Sequence, residues 1–286
     1  MSHTKNVWRL IDIQGGTIKF WETNELEKPK PEKSETPPSR AEKRERIPFE
    51  KLPWKKQVSY RKRTITRILE LLYTIENPLQ LFVSLTLDSA HRDISGGDFK
   101  RLVRKFCRAL GNRYPDGWFV YRVEWSKKAG LHFHLLGAIS GKPVTLDLMD
   151  RYEKQFEKLW AKVCRKEQIK SHSVRITPAV AAHRTYMTLP CELKEDLEGM
   201  KRLNGRNMFG VINRENIRYY DVITDVLSEE EFFKIIKALC EHDKGKSHTD
   251  FYRTQASHKR GAIRRLDREV VLRIFNAIKN GEEVTP

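Results

Sequence analysis

The chain has 286 residues, 39% of them hydrophobic, which is enough for one large domain or a main domain with appendages. Charged residues make up 33% and the formal net charge is +17, an excess that calls for a polyanionic partner, most simply nucleic acid, through phosphate neutralisation and counterion release. No segment reaches transmembrane length, Met1-Ser-His-Thr-Lys5 lacks the apolar core of a signal peptide, and Cys107, Cys164, Cys191 and Cys240 are too widely spaced for a metal knuckle; the expectation is a cytoplasmic protein with reduced thiols and no membrane partner.

In chain order, Val7 to Glu22 alternates around Gln14-Gly15-Gly16 and predicts a hairpin, placed as an N-terminal element over residues 1–24. Asn24 to Arg46 is rich in Glu, Lys and Pro with almost nothing apolar, so residues 25–50 are expected to form a flexible linker. Tyr60 to Ile75 carries Ile65, Ile68, Leu69 and Leu72 at helical spacing and is stopped by Asn77-Pro78. Leu79 to Leu87 is a nearly continuous apolar run, expected as a central strand covered on both faces. An amphipathic helix from Ser95 to Leu110 is expected to stop at Gly111, and a long one from Leu146 to Glu167 to bury Leu148, Tyr152, Phe156, Leu159, Trp160 and Val163. Between them lie strands at Trp118–Trp125 and Leu131–Ile139; a further strand at Ser171–Thr177 and a helix from Ala179 to about Leu189 follow.

From Leu79 onward this order predicts an α+β architecture, a central antiparallel sheet with packed helices of the ferredoxin-like kind, placed over residues 51–225. Gly199 to Asp225 reads as irregular, with short strands near Met208–Ile212 and Arg218–Ile223. Residues 226–286 are expected as a basic helical C-terminal extension: Ser228-Glu-Glu-Glu231 forms a capping box, Gly245 to Leu266 is polar and basic, and Asp267 caps a last helix that ends at Gly281.

The stretch Tyr121 to Gly137 carries the most chemistry. It reads as two strands joined at Ala129-Gly130, with His132 and His134 on one face and Leu131, Phe133 and Leu135 on the other. An antiparallel partner strand brings Glu124 back beside the imidazoles, and two imidazoles with a carboxylate suit a divalent metal. Read alone, the same residues fit equally well as half-exposed histidines beside a surface glutamate.

Placed in order, Leu81-Phe-Val-Ser-Leu-Thr-Leu87, His132-Phe-His134 with Glu124 eight residues upstream, and His183-Arg-Thr-Tyr-Met-Thr188 resemble the three motifs of the HUH endonuclease superfamily. Within it they are most similar to rolling-circle replication initiators of phages and plasmids. The resemblance implies Glu124, His132 and His134 as ligands of Mn²⁺ or Mg²⁺, and Tyr186 as a nucleophile that forms a 5′-phosphotyrosine and frees a 3′-hydroxyl. It implies site-specific nicking and joining of single-stranded or hairpin origin DNA in a prokaryotic cytoplasm, with a host helicase and polymerase as partners. The family's lysine after the tyrosine is missing, because Leu189 and Pro190 stand there; Lys194 and His183 are the candidates to replace it. Gly205-Arg-Asn-Met-Phe-Gly210 resembles a segment of filamentous-phage initiators, and fits a glycine-bounded hairpin as well.

DNA contacts are expected from Arg184, Arg206, Arg253, Lys259, Arg260, Arg264 and Arg265, the last five in a run free of Asp and Glu between Asp250 and Asp267. Further basic clusters lie at Lys55–Arg67 and Lys100–Arg108, and Lys244-Gly-Lys-Ser247 lacks the first glycine of a phosphate loop. The alternatives are a transposase or relaxase of the same superfamily, or a non-catalytic nucleic-acid-binding regulator.

Overall fold

Alternating burial along the strands builds two antiparallel sheets in the computed structural model, which describes residues 8–23, 47–91, 93–139, 145–167, 171–188, 193–205, 208–242, 248–254, 258–264 and 266–282. In chain order the elements are β1 (Trp8–Gln14), β2 (Thr17–Thr23), α1 (Trp54–Thr74), β3 (Leu81–Leu87), α2 (Gly96–Arg113), β4 (Trp118–Ser126), β5 (Gly130–Ala138), α3 (Leu146–Lys166) and β6 (Ser171–Pro178). They continue with α4 (Ala181–Thr188), α5 (Leu193–Arg202), β7 (Phe209–Ile212), β8 (Ile223–Leu227), α6 (Glu229–His242), β9 (His248–Thr254), β10 (His258–Arg264) and α7 (Arg268–Lys279). Two compact units result: Ile47–Leu72 with Glu76–Arg218, and the N-terminal hairpin with Tyr73–Ile75 and Tyr219 onward.

The first unit runs β3-α2-β4-β5-α3-β6 and has the strand order β6-β3-β5-β4-β7, every neighbouring pair antiparallel. Its first four strands form a ferredoxin-like split βαβ layer, and β7 adds an edge beside β4. One sheet face is covered by α2 and α3. Leu81, Val83, Leu85 and Leu87 of β3 and Leu131, Phe133 and Leu135 of β5 pack there with Phe99, Phe106, Phe156 and Trp160. Phe133 is central, its ring 5.7 Å from Phe106, 5.6 Å from Trp160 and 6.2 Å from Phe99 in edge-on geometry.

Several local expectations are corrected. β3 is covered tightly on one face only, because Phe82, Ser84 and Thr86 alternate onto a half-exposed face. Helix α2 passes through Gly111 to Arg113; the glycine serves close approach instead, since a Cβ there would meet Asn213 Oδ1 at 2.8 Å. Helix α1 starts at Trp54, where its polar first turns hide the apolar periodicity. The buried stripe of α3 includes Met149 and Cys164, with Tyr152 and Leu159 only partly buried. α5 runs on to Arg202, into the start of the segment from Gly199 expected to be irregular, and β8 begins at Ile223, where the expected strand was to end.

In the second unit the hairpin β1–β2 turns at Gly15, whose φ of 56° requires glycine, and the sheet order is β8-β1-β2-β10-β9. Ile11, Ile13, Ile18 and Phe20 face a core built with Phe232, Ile235, Val271 and Ile274 from α6 and α7. The capping box forms reciprocally: Glu231 N donates to Ser228 Oγ at 3.2 Å and Ser228 N to Glu231 Oε2 at 2.8 Å. Asp267 caps α7 by accepting from Glu269 N at 2.8 Å. The C-terminal segment thus carries its helices and also contributes three strands, β8, β9 and β10, to this sheet. Of the expected linker at 25–50, residues 25–46 lie outside the described residues, as do Lys244 to Ser247, whereas Phe49–Lys51 forms a single 3-10 turn with Phe49 buried.

Among the described residues Cys107, Cys164 and Cys240 are free thiols. Burial pushes Cys107 and Cys164 up to about 12. Neither should be alkylated by iodoacetamide at pH 8 in the folded protein; rapid labelling of either, read by peptide mass, would contradict the packing. Phe133→Ala should destabilise the chain by about 3–5 kcal/mol in denaturant unfolding. A loss below about 1 kcal/mol would mean that the β5 core face is not packed as described.

Candidate metal centre

The site follows from register. β4 and β5 pair so that Glu124 lies opposite His132 and Arg122 opposite His134, while β3 places Ser84 opposite His134. All these side chains project from the face away from α2 and α3, because strand residues two apart share a face. Arg122, Glu124, His132 and His134 are the buried charged or imidazole side chains among the described residues. Such burial is costly unless the groups are paired and hydrogen-bonded, and here they are paired with one another.

Glu124 Oε2 lies 3.8 Å from His132 Nε2 and 3.6 Å from His134 Nε2. One ligand atom from each of the three residues falls within 4.8 Å of the others, so the group can hold a metal ion. The donor chemistry fits. His132 Nδ1 is 2.9 Å from the Gly130 carbonyl, and a donated Nδ1 proton leaves the Nε2 lone pair toward the centre. His134 Nδ1 is 2.8 Å from Ser84 Oγ, which serves the second imidazole in the same way. Burial lowers the His132 pKa, with help from His134 and Arg122, and favours the neutral ring that a metal requires. Burial acts to raise the Glu124 pKa. The neighbouring His134 imidazole, the Arg122 charge and His132 outweigh it and hold the carboxyl down at about 2.

Tyr186, on α4, comes to the same point. Its hydroxyl donates to Glu124 Oε2 at 3.0 Å and lies 3.3 Å from His134 Nε2, while the residue stays 38% exposed. The phenol therefore meets the ligand atoms on one side and solvent on the other. Phe82 supports it, with its ring stacked on His134 at 5.2 Å and on His183 at 4.3 Å and edge-on to Tyr186 at 5.7 Å. His183 thus joins the site through Phe82; its Nδ1 accepts from Val180 N at 3.1 Å, and burial lowers its pKa.

Sequence reasoning missed Phe82, Ser84 and Arg122. The signal for Arg122 was its place two residues before Glu124 on the same strand face, and for Ser84 the central position of its strand. Arg184 is half-buried on α4. Lys194 stands in the first turn of α5, with its side chain outside the described residues, as are Arg206, Arg265, Leu189 and Pro190. Arg253, Lys259, Arg260 and Arg264 lie on β9 and β10 of the other unit, again with undescribed side chains.

No family model and no curated protein matches the chain. Among solved structures it is similar to a chlorite dismutase from Candidatus Nitrospira defluvii in complex with imidazole, at 11% identity over 75% of this chain and 87% of that one, TM-score 0.25. A second candidate chlorite dismutase aligns at 12% identity over 70% and 86%, TM-score 0.23. Likenesses this faint say nothing of activity. The expectation of an HUH endonuclease is withdrawn: no family model and no curated protein places the chain in that superfamily, and the similar structures carry other names. Origin nicking and joining and the transposase and relaxase alternatives fall with it. The physical reason is the brevity of the motifs: an apolar strand, a His-x-His strand and a tyrosine helix need little more than alternation on a βαββαβ sheet.

Ser84→Ala should weaken Co²⁺ binding by about tenfold or more in a fluorescent-chelator competition, because it frees the outer nitrogen of His134. An unchanged affinity would show that the Ser84–His134 contact does not orient a ligand.

Proposed function

We propose that the chain is a divalent-metal-dependent enzyme acting on an anionic ester, with Glu124, His132 and His134 as ligands and Tyr186 as the reacting phenol. The observation that carries the reading is the Tyr186 hydroxyl, 3.0 Å from the carboxylate oxygen that also lies nearest both imidazoles. A bound cation supplies charge stabilisation at a substrate oxygen. The chain's own part is positional. Glu124 takes the phenol's hydrogen bond and leaves the outward lone pairs of Tyr186 facing the substrate, and Phe82 holds the ring edge-on. The donor set of two imidazoles and one carboxylate favours borderline transition cations over Mg²⁺, which prefers oxygen ligands.

The net charge of +17 supports a phosphate-bearing substrate or partner. Helix α1 offers a surface for it: Lys56, Tyr60, Arg63 and Arg67 follow one another at helical spacing and are exposed, and the Arg63 guanidinium stands 4.4 Å over the Tyr60 ring. Single-stranded nucleic acid is the proposed polyanion, with phosphates on the cations and a base against the aromatic ring. No described helix is long and apolar enough to cross a membrane. The free thiols support the cytoplasm as the proposed compartment.

Mn²⁺ or Co²⁺ should promote hydrolysis of bis(p-nitrophenyl) phosphate, and His132→Ala should abolish both metal binding and the metal-stimulated rate. Tyr186→Phe should keep the metal and lose at least about a hundredfold in rate. Full activity in Tyr186→Phe would remove the phenol from the chemistry, and metal-independent turnover would sink the reading. Reversing Lys56, Arg63 and Arg67 to Glu together should make the salt dependence of single-strand binding shallower by about 2 in log–log slope. The same slope in parent and variant would move the contact elsewhere.

A further inference from the structure

Among the described residues Arg122 is the one buried charge that neither ligates nor reacts. Its side chain is 4% exposed, on β4 two residues before Glu124 and on the same face. Its Nε lies 3.0 Å from Glu124 Oε1, and its Nη1 donates to the Met187 carbonyl at 3.1 Å. Met187 directly follows Tyr186, and α4 ends one residue later at Thr188. Its carbonyl is therefore among the last four of the helix, which have no partner within the helix and carry the negative end of the helix dipole.

We infer that Arg122 is a positioning residue, a clasp that joins the metal-ligating carboxylate to the end of the tyrosine helix. The inference rests on the metal reading of Glu124, His132 and His134. By engaging Oε1, the guanidinium turns Oε2 toward the two imidazoles and the Tyr186 hydroxyl. By engaging Met187, it fixes the turn that carries the phenol. α4 has eight residues, too few to hold its own geometry without tertiary support. One rigid plane with several donors meets both demands; a lysine ammonium is a single point on a flexible stem.

A mere neighbouring charge and a clasp make opposite predictions. A positive group beside a cation site repels the cation, so if charge were its only role, Arg122→Met would tighten metal binding and Arg122→Lys would leave it unchanged. A clasp predicts that both variants of the full chain lose Co²⁺ affinity by about tenfold or more, the effect seen when outer-shell partners of ligands are removed. It predicts also that, in metal-free protein, amide hydrogen exchange at residues 181–188 accelerates in both variants while β3 keeps its protection.

Tighter or unchanged Co²⁺ binding in Arg122→Met, or unaltered exchange in α4 of Arg122→Lys, overturns the clasp. If the parent chain takes up no Co²⁺, the metal reading fails by itself, and the exchange measurement still decides whether Arg122 holds α4. Arg122→Lys keeps a buried cation beside Glu124 and serves if Arg122→Met does not fold.

Discussion

The pairing of Glu124 with His132 across the β4–β5 ladder is the constraint on which the site depends. Register in a sheet is all or nothing with respect to face: a slip of one residue would carry both imidazoles into the apolar core and bring Phe133 out. The core on the opposite face guards against this slip. Phe133, between the two histidines, is held in a nest of aromatic rings from α2 and α3, so the packing that stabilises the layer is the packing that aims the ligands. The turn at Gly130, with φ of 67°, closes the ladder in that register, and the Gly130 carbonyl then orients His132.

On the other face the fold accepts a cost. Two imidazoles, a carboxylate and a guanidinium are withdrawn from water within a few ångströms of one another, an arrangement rarely favourable for stability alone. Each has partners, and the partners run in a chain from Ser84 through His134, Glu124 and Arg122 to the end of α4. Such connected groups shift together when one is removed. Tyr186 stands where this dry network meets solvent, which a group that must meet both a cation and a substrate requires.

Much of this was legible in the residues. Alternation predicted the two strands and their faces, the helix–strand order predicted the βαββαβ layer, and Glu124, His132, His134 and Tyr186 do converge. Illegible were contacts that only tertiary structure sets. Arg122 reads as any strand arginine until α4 is placed over it, and Phe82 and Ser84 are ordinary members of an apolar run until their face is known. The α5 helix was lost because Leu197, Met200 and Leu203 sit in a charged segment whose apolar stripe is narrow. Short motifs also carried a family resemblance further than their length allows, since a site geometry recurs on many chains and activity resides in the site's particular partners.

The central claim is that the buried triad is a metal centre, and anomalous diffraction from crystals grown with Zn²⁺ tests it most directly. The account predicts one strong peak at about 2.0–2.2 Å from Glu124 Oε2 and from Nε2 of His132 and His134, with Tyr186 beside it. Anomalous signal elsewhere on the chain, with none between these three atoms at saturating metal, would contradict it.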